Sequence, residues 1–197
     1  MSKQLPQITP ELQDFIKNQK IFFVGTAAQD GRVNVSPKGH DTLRVLSSNK
    51  LVWLNLTGSG NEYVTDAQAT VIGNTSGTNS GNETAAHLLK NDRMTIMFCA
   101  FEGNPLILRL YGNAKIYHER DDTFHKYINL FEENTGSRQI IELDIDLVQT
   151  SCGFSVPFMD FKEERGMLNS WSKKQDYWKE KNTKSIDGFD TDILSSN

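Results

Sequence analysis

The sequence predicts a mainly β fold, a small antiparallel barrel of about six strands with peripheral helices. Three observations predict it. Short β-prone runs recur through residues 21–150, several of them alternate polar and apolar side chains, and Gly, Asn and Asp separate them. With 197 residues, 37% hydrophobic and 23% charged, the chain suits one core with appended helices.

Each element has its own signal. Thr9-Pro10-Glu11 reads as a helix start, with a capping hydroxyl and a proline at the first helical position. Leu12, Phe15 and Ile16 then give one apolar face, so residues 1–20 hold an N-terminal helix ending near Gln19. Residues 21–28 and 32–36 flank Asp30-Gly31, a hairpin signal. Residues 51–56, 94–101 and 106–117 are further strands. Ile141, Leu143, Ile145 and Leu147 alternate with Glu142, Asp144 and Asp146 as a half-buried strand. Helical spacing marks residues 84–90 and 121–133, the latter through Phe124, Tyr127, Ile128 and Phe131. The tail, residues 151–197, reads as helical over about 161–181 and frayed or extended after Thr183. Between about 60 and 80 lies an inserted Gly/Ser/Asn-rich loop, bracketed by Ser-Gly-Asn-Glu at 59–62 and again at 80–83.

Composition removes several function classes. A net charge of −4 supplies no broad basic field for nucleic acid. No apolar run is long enough for a leader or a membrane span, so a cytoplasmic protein is expected. Cys99 and Cys152 lack CxxC spacing, and His40, His87, His118 and His125 show no metal-binding spacing, so no metal site is expected. Serine-hydrolase and Walker signatures are absent, and the catalytic residues stay unassigned.

Three segments can hold an anion. Alternation puts Arg32, Asn34 and Ser36 on one strand face, with Lys38 just beyond Pro37; the face is either solvated or an oxyanion seat. Thr57 and Ser59 follow a strand, while Asn82 and Thr84 open a helix, where free backbone N–H groups favour negative charge. Arg109 sits inside an apolar run and needs an acid, an anionic ligand or solvent.

The order of these pieces is more specific than any one of them. Phe22-Phe-Val-Gly-Thr-Ala27, residues 32–39, residues 51–58, Asn82-Glu-Thr-Ala-Ala-His-Leu88 and Arg109-Leu-Tyr-Gly-Asn-Ala114 together resemble the pyridoxamine 5'-phosphate oxidase-like FMN-binding split-barrel family. Residues 151–157 and 181–188 look like the closing elements of a small-protein branch of it. The resemblance implies a six-stranded antiparallel split barrel over residues 21–150 that pairs as a homodimer, with FMN at the interface. It also implies that Arg32 and Lys38 neutralise the FMN phosphate, that Ser36 faces the flavin ring, and that Thr57, Ser59, Asn82 and Thr84 form the phosphate cup. Arg109 falls where the barrel wall approaches the cofactor.

Two departures qualify the resemblance. The C-terminal pattern by which true pyridoxamine-phosphate oxidases grip their substrate is missing, so that substrate is not expected. The inserted loop splits the phosphate cup, which weakens flavin binding. The expected function is an FMN-dependent oxidoreductase acting on a small molecule by hydride transfer. The alternative is a flavin- or haem-binding protein without turnover, and related barrels also accept a deazaflavin.

Overall fold

The computed structural model describes residues 2–57, 82–134, 136–166, 168 and 182–194. Its elements in chain order are β1 (Lys3–Leu5), α1 (Pro10–Asn18), β2 (Phe22–Thr26), β3 (Asn34–Lys38), β4 (Leu43–Ser47) and β5 (Lys50–Leu56). They continue with α2 (Glu83–Lys90), β6 (Arg93–Cys99), β7 (Ile107–His118), α3 (Asp122–Ile128) and β8 (Ser137–Ser151). The strands form one sheet in the order β3-β2-β6-β7-β8-β5-β4, with β1 added beside β8. Every strand pair is antiparallel.

Among the described residues eight strands stand where six were expected. β1 is three residues of Lys-Gln-Leu, too short for any period, and it forms only because β8 is long enough to receive it. β4 was hidden by polar neighbours, yet its Leu43 and Val45 pack on the core. β8 runs 15 residues, well beyond the expected alternating stretch. Its first part pairs with β5 and its last part with β1, while β7 follows it along its whole length. That change of partner along one strand splits the barrel wall. Bending requires a break in the ladder between Tyr111 and Gly112. A Cβ on Gly112 would collide with the Asp144 carbonyl oxygen, so only glycine fits there.

The core fills the barrel with fully buried Leu51, Trp53, Ile96, Phe98, Leu108 and Leu143, and α1 closes one end with Ile16 and Leu12. Thr9 caps α1 by accepting from the Leu12 N–H at 3.4 Å, as the sequence anticipates. On the other side of β5 and β8, Val52, Leu54 and Ile140 meet Phe124 of α3. α3 stops at Ile128 rather than at 133, because Phe131 reaches the same cluster through a turn instead of a further helical turn.

Residues 182–194, expected to be frayed or extended, pack as a strap. Lys184 bridges to Asp190, and Asn182, Ser185 and Thr191 are buried. The strap lies against α2, where the Ile186 N–H donates to Glu83 Oε1 at 2.8 Å and Phe189 meets the edge of His87. The helical reading of residues 161–181 lies mostly outside the described residues, and residues 161–165 form no helix.

Candidate anion and ligand site

β3 is an edge strand, and its register on β2 settles which side chains face inward. Lys38 lies opposite Phe22, Ser36 opposite Val24, and Asn34 opposite Thr26. Opposed residues share a face. Asn34, Ser36 and Lys38 therefore sit on the side of the buried core residues, while Val35 is 65% exposed.

The electrostatics of that face are lopsided. Lys38 Nζ stands 5.5 Å from the centre of the Trp53 ring. Burial, and after it the Arg138 guanidinium, push the Lys38 ammonium down to about 8. Arg138, at the start of β8, is only 5% exposed, and its Nε and Nη1 have no hydrogen-bond partner. Burial alone lowers its pKa to about 10. No carboxylate contributes to either shift. Trp53 Nε1 and His118 Nε2 are also buried and unpartnered. Burial, then Arg120, hold His118 below the usual histidine range. Guanidinium and indole N–H groups can only donate. Half-buried Lys38 and buried Arg138, two cations with no carboxylate acting on either among the described residues, offer donors that fit an oxygen-rich anion, while Asp192 and Asp121 act on His118.

A hydrogen-bond chain ties this face to α2. Asn34 Nδ2 donates to Thr26 Oγ1 at 3.1 Å and to Thr84 Oγ1 at 3.2 Å, and Asn34 Oδ1 accepts from Ser36 Oγ at 2.8 Å. Thr26 Oγ1 meets His87 Nδ1 at 3.1 Å. At the head of α2, Asn82 is buried with both amide atoms unpartnered, and its side chain does not cap the helix. Thr57 is buried at the end of β5, its N–H donating to the Gly136 carbonyl at 2.6 Å.

The structure thus brings Ser36 and Thr84 together through Asn34, places Lys38 on the same face, and buries Thr57 and Asn82. Ser59 and the inserted loop lie outside the described residues. Arg32 and Arg109 are not brought to this group. The Arg32 N–H donates to Asp187 Oδ2 at 2.7 Å, and its exposed guanidinium pairs with Oδ1 of the same carboxylate. Those contacts, the backbone one first, hold Asp187 below the usual carboxylate range. Gly31 beside it adopts φ +99°, and a Cβ there would press into the Asp187 carboxylate. Arg109 lies opposite Met97 and Gln149 on the outer face, its Nη1 donating to Ser151 Oγ at 3.1 Å. Sequence reasoning missed Arg138, Trp53 and the Thr26–His87 pair. Arg138 carried a readable signal, a cation opening an alternating apolar strand, the same reasoning that singled out Arg109.

No family model matches the chain. It is 35% identical over 158 residues to the pyridoxamine 5'-phosphate oxidase family protein ustO of Aspergillus flavus, a match covering 78% of this chain and 55% of that one. Over those residues the chain is similar to the pyridoxamine 5'-phosphate oxidase family. It spans about half the length of that curated relative. Among solved structures, HupZ of Group A Streptococcus superposes with a TM-score of 0.51 at 19% identity, covering 73% of this chain and 99% of that one. The fold of this pyridoxamine 5'-phosphate oxidase-like chain is a mainly β split barrel with peripheral helices. Among the described residues no helix is long and apolar enough to cross a membrane, and no group of three or more His, Cys, Asp or Glu could hold a metal.

Proposed function

We propose that this chain is an FMN-dependent oxidoreductase of the cytoplasm that works on a small molecule as a homodimer. The observation that supports this reading most is the pair of half-buried Lys38 and buried Arg138, the latter with two unpartnered nitrogens, on which no carboxylate acts among the described residues. A phosphate monoester carries roughly −1.5 to −2 at pH 7, which two cations offset. A phosphate lacks hydrogens to donate when fully ionised, and the surrounding Arg138 and Trp53 N–H groups supply what it accepts.

Each residue then has a task. Lys38 and Arg138 neutralise the phosphate, and Asn82 and Thr84 add neutral donors at the head of α2, where the helix dipole favours negative charge. Ser36, one alternation before Lys38, faces the part of the ligand beyond the phosphate. When bound, the flavin supplies hydride exchange, so the protein's own work is binding, orientation and exclusion of water. Burial keeps those cations effective, because their attraction to the phosphate is not shared with solvent. The second copy is supported by edge strand β3 and the residue before it, with Val35 at 65% and Val33 at 73% exposure, a surface that a partner would cover.

The test is the absorbance spectrum of the purified protein, alone and after addition of FMN. Two flavin bands that bleach with dithionite, and then with NADH or NADPH, support the proposal. A Soret band would move the reading to haem, and a protein that ignores FMN would overturn it. Flavin that binds but accepts electrons from neither nicotinamide would favour a binding protein without turnover.

A further inference from the structure

The two hydroxyls at the site are not equivalent, and one amide makes them differ. Asn34 sits between Ser36 and Thr84 and holds both. Its Oδ1 accepts from Ser36 Oγ at 2.8 Å, so the Ser36 proton is committed and only lone pairs remain to face a ligand. Its Nδ2 donates to Thr84 Oγ1 at 3.2 Å, so the Thr84 oxygen is already filled on one side and its own proton is free to donate.

The orientation of the amide follows from its surroundings. Nδ2 also donates to Thr26 Oγ1 at 3.1 Å, and with the imidazole hydrogen on Nε2 the Thr26 proton goes to His87 Nδ1 at 3.1 Å. Turning the amide over would set its oxygen between two threonine hydroxyls and its nitrogen against Ser36. Thr26 would then give its proton to Asn34 and lose the bond to His87 unless the imidazole changed tautomer. In the observed arrangement His87 Nε2 is the one side-chain atom of this hydrogen-bond chain left with no partner, and the Thr84 proton is held in reserve for a ligand.

We propose that Asn34 is the specificity-determining residue of this site, fixing Thr84 as a donor to the anionic end of the ligand and Ser36 as an acceptor for a ligand N–H. An ionised phosphate has no hydrogen for Ser36 to accept, so Ser36 reads a different part of the molecule from Thr84. Applied to a flavin, Thr84 reads the phosphate and Ser36 reads an N–H of the ring. This inference rests on the flavin reading above.

The experiment is a set of binding titrations with FMN and with riboflavin, which has the ring but no phosphate. Thr84→Val is expected to weaken FMN about tenfold and leave riboflavin unchanged, whereas Thr84→Ser retains wild-type binding of both. Ser36→Ala is expected to weaken both ligands by a similar factor. Asn34→Asp keeps the shape but cannot donate; it should weaken FMN by more than tenfold, and adding Thr84→Val to it should cost little further. If Asn34→Asp does not fold, the contrast between Thr84→Val and Ser36→Ala decides alone. Flavin binding by wild type with both variants losing FMN and riboflavin in parallel, or losing neither, overturns the role of Asn34 and leaves the flavin reading standing. Failure of wild type to bind either flavin overturns both.

Discussion

A guanidinium buried with two N–H groups unpartnered destabilises the fold that contains it, and Arg138 is such a group. Its retention makes sense if a ligand completes its hydrogen bonds. Arg138→Met is therefore expected to have opposite effects on two readouts. Thermal unfolding of the ligand-free protein should show equal or greater stability, and FMN affinity should fall tenfold or more, from a charge-assisted contact worth about 1.5–3 kcal/mol. A drop in both would mean that Arg138 is structural. Lys38 gives a second expectation, through pH. Burial depresses its folded pKa to about 8 from the ordinary 10.5. Between those values the unfolded chain holds the proton that the folded chain has lost, so this group makes ligand-free stability rise with pH across that window. FMN binding should move the other way, weakening toward tenfold per pH unit above about 8 as the ammonium loses its charge. A dissociation constant flat from pH 7 to 9.5 would remove Lys38 from the site. The positions of Ser36 and Lys38 on one strand face and of Thr84 at a helix start were legible, because strand alternation and a helix start are local patterns. Arg138 was not read beside Lys38, since only the sheet pairs β8 with β5, which carries Trp53.

Elements differed in how well the sequence announced them. α1 was fully legible: its cap, proline and apolar spacing all lie within ten residues, and the helix ends one residue from the expected place. β4 and β1 were not, because their stability comes from pairing with β5 and β8 rather than from their own composition. α3 illustrates the same point energetically. It is held on the sheet by Phe124 and by Tyr127, whose hydroxyl donates to the buried Glu142 carboxylate at 2.6 Å. Lys50 salt-bridges the same carboxylate at 3.0 Å. That contact with Glu142, with burial behind it, pushes the Tyr127 phenol up to about 12. Tyr127→Phe should lower unfolding stability by about 1–2 kcal/mol, discounted for partial exposure of the ring. The effect should be absent in a Glu142→Gln background if the carboxylate is what the phenol serves. The strap was only partly legible: residues after about 183 read as frayed or extended, but Asp187 fits the β2–β3 connection, Phe189 meets α2, and Thr191 closes the strap on Asn182.

At the scale of the whole molecule, an open edge and a cofactor site need each other. β3 carries the inward Asn34, Ser36 and Lys38 and the outward Val35, with exposed Val33 just before it, so covering that outer side would also shield the proposed ligand site. Sedimentation is expected to give a species near twice 22.3 kDa, and dilution to monomer should release bound flavin. A monomer that keeps its flavin would separate the edge from the site. The central claim, that Lys38 and Arg138 form a phosphate seat, has a more direct test: equilibrium titration of the wild-type protein and of Arg138→Met with FMN and riboflavin in parallel. The account expects FMN to bind wild type at least tenfold more tightly than riboflavin, and expects the substitution to remove most of that preference. Equal affinities for the two flavins in wild type, or a preference for FMN that survives the loss of Arg138, would contradict it.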